Sequence, residues 1–303
     1  MSVAPLPFPT AVEPAALLCP ANKDEPAAMR TVSPELVQAE DWSQPASFTG
    51  STTPVFLIHD GGGTTFAYHC LDPLYRYVYG IANPYFFCGT RFAGGIPEMG
   101  RLYAKRIRLA VAQPHFPAKK KADGTVDVLL GGWSLGGLLS LEVARLLADD
   151  CVVRVVGILM VDSVCPGRPD DYRGPVAPPD TSEESKTKNQ ILAQRCMAEA
   201  RRMVGEWDVP TWQGRYASKR PRMVLLRATD YIPTRPPGTS GLDINREDPI
   251  LGWGCHDDAM FDHVVDVQGH HFDLFDMDRI GSTTAAIRQG LDRLEAAVYS
   301  RGR

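Results

Sequence analysis

The stretch from Val126 to Val161 constrains the fold more than any other. Val126-Asp127-Val128-Leu129-Leu130 is a short apolar run and reads as a buried strand. Gly131 to Gly137 is a glycine-dense turn, Leu138 to Asp149 an amphipathic helix, and Val152 to Val161 a second apolar strand. Strand, helix and strand of these lengths make a βαβ unit with parallel pairing. The expected class is therefore α/β, a mostly parallel central sheet flanked by helices.

Inside that turn, Gly132-Trp133-Ser134-Leu135-Gly136 spells G-x-S-x-G between a strand and a helix, the context that motif requires. The reason is steric. A serine raised on so sharp a turn holds strained backbone angles, and its neighbours two positions away must lack clashing side chains. The serine then lies at a helix N-terminus, where outward-pointing N–H groups favour developing negative charge. The competing reading is a glycine-rich phosphate turn. It fails because no G-K-[ST] follows and no G-x-G-x-x-G is present.

The chain has 303 residues, enough for one large α/β domain with a sizeable core. Lys and Arg number 32 against 36 Asp and Glu, a net charge of −4 that gives no footing for a nucleic-acid or anionic-membrane partner. Seven cysteines are scattered with no C-x-x-C spacing, which suits unpaired thiols in a reducing cytoplasm. The first residues lack the basic and apolar regions of a signal peptide, and no apolar run approaches a membrane span.

Residues 1–52 are rich in Pro, Ala and small polar residues and read as a loosely packed lead-in with at most one short helix or edge strand. The main domain spans 53–303. It opens with the strand Pro54 to His59 and the glycine turn Asp60-Gly61-Gly62-Gly63, followed by a strand over Tyr77 to Ile81 and a helix over Arg101 to Gln113. Cys165 to about Asp180 reads as loop. Thr181 and Glu184 form a possible capping box for a helix whose stripe is Ile191, Leu192, Cys196, Ala200, Met203 and Val204. Met223 to Ala228 and His263 to Val267 read as the last strands, separated by a Pro/Gly-rich loop to about Gly254, and Ser282 to Val298 as a closing helix.

A serine nucleophile needs a base, and the base should follow the last strand. Gly269-His270-His271-Phe272 occupies that place, and spacing alone does not choose between the two histidines. His59 more simply shapes the glycine turn. His256, His263 and the aspartates around them read as a solvated loop rather than a metal site, since no compact histidine spacing occurs. The acid that orients the imidazole has two strand-end candidates, Asp162 and Asp230, and the fold by itself favours Asp230.

The run Leu130-Gly131-Gly132-Trp133-Ser134-Leu135-Gly136-Gly137, continuing through Glu142-Val143-Ala144-Arg145, resembles the thioesterases of polyketide and nonribosomal-peptide assembly lines, fungal members included. So do Leu159-Met160-Val161-Asp162-Ser163 and Gly269-x-His271-Phe272. The resemblance runs from about Pro54 to Val298 and implies the α/β-hydrolase fold with a helical lid inserted at about 165–222. It implies Ser134, Asp162 and His271 as the triad, with backbone N–H groups of Leu135 and Gly61 as the oxyanion hole. The glycine loop, His59-Asp60-Gly61-Gly62-Gly63, departs from bacterial members that carry a proline or small residue there. Trp133, Trp207 and Trp212 are the substrate-lining candidates. The implied activity is release of an acyl chain from phosphopantetheine on a carrier protein or its parent synthase, with no cofactor and no metal of its own. Transfer or cyclisation onto another nucleophile, and general carboxylesterase action, share the same triad and remain alternatives.

Overall fold

Along the central strands, alternate side chains leave the sheet on opposite faces, and the apolar core divides accordingly. Phe56, Ile58, Met223 and Leu225 belong to one buried cluster, and Val55, Leu57, Val224 and Leu226 to the other. In the computed structural model, residues 34–39, 52–118, 120–167, 176, 187–234 and 238–299 are described. Among them the strands are β1 (Glu35–Gln38), β2 (Val55–Ile58), β3 (Val78–Ile81), β4 (Val126–Trp133), β5 (Val153–Val161), β6 (Arg222–Ala228) and β7 (His263–Val267). They form one seven-stranded sheet in the order β1-β3-β2-β4-β5-β6-β7. Only β1 runs antiparallel; the other pairings are parallel. The edge strand anticipated in the lead-in is β1. The rest of 1–33 and 40–51 lies outside the described residues.

The helices are α1 (Phe66–His69), α2 (Gly95–Val111), α3 (Leu135–Leu146), α4 (Lys188–Gly205) and α5 (Ile280–Tyr299). Buried residues of α2 and α3 fill the first cluster, and Ile287, Leu291 and Leu294 of α5 fill the second. Two boundaries differ from the sequence expectation. Helix α2 starts at Gly95 rather than Arg101, because Pro97 stands in the first turn, where its missing N–H costs nothing. Helix α3 starts at Leu135, so Gly136 and Gly137 belong to its first turn rather than to the preceding loop. The capping box expected at Thr181 and Glu184 lies outside the described residues. Helix α4 is capped reciprocally by Thr187 and Gln190, a T-x-x-Q signal of the same kind.

No described helix is long and apolar enough to cross a membrane. Cys70, Cys151, Cys165, Cys196 and Cys255 are free, whereas Cys88 is disulfide-bonded, a departure from the expectation of unpaired thiols throughout.

Candidate active site

The turn between β4 and α3 is packed backbone against backbone. A methyl group on Gly132 would stand 2.6 Å from the Ile58 carbonyl oxygen, and one on Gly136 would overlap that same oxygen. With those two positions bare, Ser134 takes φ 54° and ψ −117°, a conformation side-chain-bearing residues seldom adopt. Its N–H donates to the Val161 carbonyl at 2.8 Å, and its carbonyl accepts the Ser163 hydroxyl at 2.7 Å. The elbow is thus tied to the end of β5, where Asp162 also holds a positive φ, of 44°.

Asp162 and His271 are brought together across 109 residues of chain. Asp162 is fully buried and His271 nearly so, and Nδ1 of His271 lies 2.8 Å from Oδ2 of Asp162. The Trp133 ring packs on the His271 ring at 5.6 Å and on Phe275 at 4.9 Å, so Trp133 walls the imidazole beside the elbow. His270, half-buried, instead accepts the Phe272 N–H on Nδ1 and lies 3.6 Å from Asp273. Asp230 is exposed and accepts the Thr229 hydroxyl at 2.9 Å. Of the two aspartates and two histidines that spacing left open, the structure brings Asp162 and His271 together.

Sequence reasoning missed Arg246. It comes from the loop after β6, is 3% exposed, and reaches both Asp162 oxygens, Nη1 to Oδ1 at 2.6 Å and Nη2 to Oδ2 at 3.0 Å. Ala228 N–H also donates to Oδ1, at 2.9 Å. Burial on its own pushes the Asp162 carboxyl up, but hydrogen bonds and positive charge from His271 and Arg246 hold it down at about 2. Asp162 is accordingly ionised across the neutral range.

The glycine loop lies against α4. A Cβ on Gly61 would meet Ala200 at 3.6 Å and Met197 at 3.7 Å, ordinary contacts that leave room for backbone chemistry. His59 stays fully buried, with Nδ1 2.6 Å from the Asp60 carbonyl and Nε2 2.7 Å from the Tyr103 hydroxyl, so it braces the loop as expected. Burial lowers His59 to about 4 against the pull of that carbonyl. Burial raises the Asp60 carboxyl, opposed by the Gly62 and Gly63 amides and by the charge of His271.

A cavity of about 370 Å³ opens where α4 faces this loop and residues 83–92. Gly61, Leu135, Phe86, Phe92, Met99 and Met203 are among its walls. Trp207 and Trp212 do not line it. Trp207 is 7% exposed and donates Nε1–H to Glu142 of α3 at 3.0 Å, which turns its ring into the α2/α3 core, and Trp212 packs at the margin of that core. Of the expected stripe on α4, Leu192, Ala200 and Met203 are buried, and Cys196 sits beside Asn83. His256 groups with Cys165 and Cys255, ligand atoms within 4.8 Å of one another, rather than with the aspartates beside it.

The parallel sheet, the flanking helices and a strained serine between β4 and α3 define an α/β-hydrolase fold. The solved NocB thioesterase domain from the Nocardicin cluster shares it, at a TM-score of 0.55 and 23% identity over 80% of this chain and 95% of that one. No family model matches the chain. Thioesterase AMT4 of Alternaria alternata is 32% identical over 275 residues, covering 87% of this chain and 93% of AMT4. The nonribosomal peptide synthetase imqB of Aspergillus flavus is 31% identical over 312 residues, 91% of this chain and 9% of imqB. The chain belongs to the fungal thioesterases, enzymes that hydrolyse acyl thioesters.

Proposed function

We propose that this thioesterase releases an acyl or peptidyl chain from the phosphopantetheine thioester of a carrier protein through an acyl-Ser134 intermediate. The observation that carries the reading is the buried 2.8 Å contact between His271 Nδ1 and Asp162, set beside a serine at φ 54°. With Nδ1–H donated to the carboxylate, Nε2 is the free base for the Ser134 hydroxyl proton. The serine oxygen attacks the thioester carbonyl, and negative charge develops on the carbonyl oxygen. The N–H of Leu135 opens helix α3, where first-turn amides lack intrahelical acceptors. Together with the N–H of Gly61 it receives that charge, each such donor contributing about 3 kcal/mol. The C–S bond then breaks and the departing thiolate takes the proton from His271. Water, activated by the same base, hydrolyses the acyl-serine.

The carrier as partner is supported by the likeness to a segment of a peptide synthetase and to a synthetase-type thioesterase domain. The acyl chain enters the cavity under α4, whose wall includes both proposed oxyanion donors. We place this chemistry in the cytoplasm, on the support of the five free thiols among the described residues. Recognition of the pantetheine arm supplies binding energy that is used in the transition state. The test compares kcat/KM for one acyl group presented as a pantetheine thioester, an N-acetylcysteamine thioester and a p-nitrophenyl ester. The pantetheine thioester should lead. Equal values for all three would replace this reading with a general esterase.

A further inference from the structure

Four hydrogen-bond acceptor positions are available on an ionised carboxylate, and Asp162 fills all four. Ala228 N–H and Arg246 Nη1 occupy Oδ1; Arg246 Nη2 and His271 Nδ1 occupy Oδ2. The guanidinium is equally committed. Nε donates to Asp243 Oδ1 at 2.9 Å, Nη1 also reaches the Ala228 carbonyl at 3.0 Å, and Nη2 lies 2.9 Å from Asp243. Asp243 in turn accepts the Ile232 N–H at 2.7 Å. Arg246, Asp162 and Asp243 are all buried, so this is a closed ionic network with the imidazole at one end.

We infer that Arg246 is a positioning residue for the hydrolytic triad, fixing the Asp162 carboxylate for His271 and sharing the negative charge that faces the imidazole. The inference rests on the triad reading above. A bidentate guanidinium holds a carboxylate's plane as a single hydrogen bond cannot. Asp162 has no freedom to rotate away when His271 becomes charged. The second consequence is electrostatic. A lone aspartate stabilises the imidazolium with its whole charge, whereas here a cation shares that carboxylate. Removing that cation leaves the carboxylate's whole charge facing the imidazole. Other charges facing this point are Asp60 from the glycine loop and Asp243. Arg227 of β6 also faces it but is neutralised in a two-pronged pair with Asp266 of β7. The Trp133 and Phe275 rings complete the surroundings without charge.

The experiment is the pH profile of kcat/KM on an acyl-pantetheine thioester, read by thiol release, for wild type, Arg246→Gln, Arg246→Lys and Asp243→Asn, with Ser134→Ala alongside. Thermal melts identify the folded variants. Arg246→Gln should lower the plateau ten- to a hundred-fold and move the acidic limb up by about one pH unit, because a nearby like charge no longer opposes protonation of the base. Arg246→Lys keeps the charge but not the fork, so its limb should stay in place while its plateau falls. Asp243→Asn leaves the guanidinium wholly to Asp162 and should move the limb down. If the Gln variant does not fold, the Lys and Asn variants decide by the same two readings. A folded Gln variant with wild-type limb and plateau, or a Lys limb displaced as far as the Gln limb, overturns the inference. A dead Ser134→Ala beside those results leaves chain release standing, whereas an active one overturns chain release itself.

Discussion

The elbow and the cavity wall under α4 meet at Leu135, yet they are held in different ways. At the elbow, Gly132 and Gly136 touch the Ile58 backbone so closely that no side chain fits. Under α4, Gly61 faces Ala200 and Met197 at ordinary van der Waals distance, through side chains that a helix can exchange. Backbone contact cannot be retuned by substitution without moving strands β2 and β4, so the reacting groups stay in register. Side-chain contact can be retuned one residue at a time. On the proposed function, the chemistry is built on the first kind of packing and the fit of the acyl chain on the second.

If that division holds, disturbing the elbow side costs most. Asp162→Asn should lose about 10⁴-fold in kcat with the fold intact, since the amide favours the wrong imidazole tautomer. Asp230→Asn and His270→Ala should stay within a few-fold of wild type. The reverse ranking in side-by-side assays would break the assignment. Gly136→Ala should destabilise the protein by more than about 3 kcal/mol, because overpacking against fixed backbone has no soft partner to yield. A urea midpoint close to wild type would show that the elbow is not backbone-limited.

His59 gives a pH-dependent effect next in size. Its folded-state value is lowered to about 4 from the usual 6.5, so the unfolded chain binds the extra proton first. Stability should therefore fall as pH drops from about 6.5 toward 4, by about 3 kcal/mol from this residue. Urea titrations at pH 7.5 and 4.5 check it: His59→Gln should flatten that difference, and an unchanged difference would remove His59 as its source. The smallest effects belong to α4. Ala200→Leu should shift the preferred acyl length by about ten-fold in kcat/KM ratios, the scale of one or two methylenes in an apolar pocket. Trp207→Phe, which loses the Glu142 hydrogen bond and part of a buried ring, should cost at least about 1 kcal/mol of stability and leave chain preference alone. A preference altered by Trp207 but not by Ala200 would sharpen the comparison by moving the chamber toward α3.

The parts legible in the sequence are those where local pattern and tertiary role coincide. The apolar runs of β4, β5 and β6 are largely buried, and Gly132 and Gly136 around Ser134 are needed because backbone fills the space a Cβ would take. Two strand-end aspartates and two adjacent histidines were as far as spacing could go, because the choice depends on which side chains meet across the sheet edge. Arg246 left no trace in periodicity. It sits in a Pro/Gly-rich loop, 84 residues from the carboxylate it holds. The i, i+3 pair of Asp243 and Arg246 was its one local sign. Trp207 and Trp212 were read as chamber walls from their place after the α4 stripe. Instead, the indole N–H of Trp207 donates to Glu142, and neither ring lines the cavity under α4.

The central claim is that Ser134 carries the acyl group. Intact-mass measurement after rapid mixing with an acyl-pantetheine thioester tests it directly, with peptide mapping to locate the adduct. The account predicts a transient gain of one acyl mass on the peptide containing Ser134, lost on longer incubation and absent in Ser134→Ala. Turnover by the wild type with no adduct at any time, or an adduct that persists in Ser134→Ala, would contradict it.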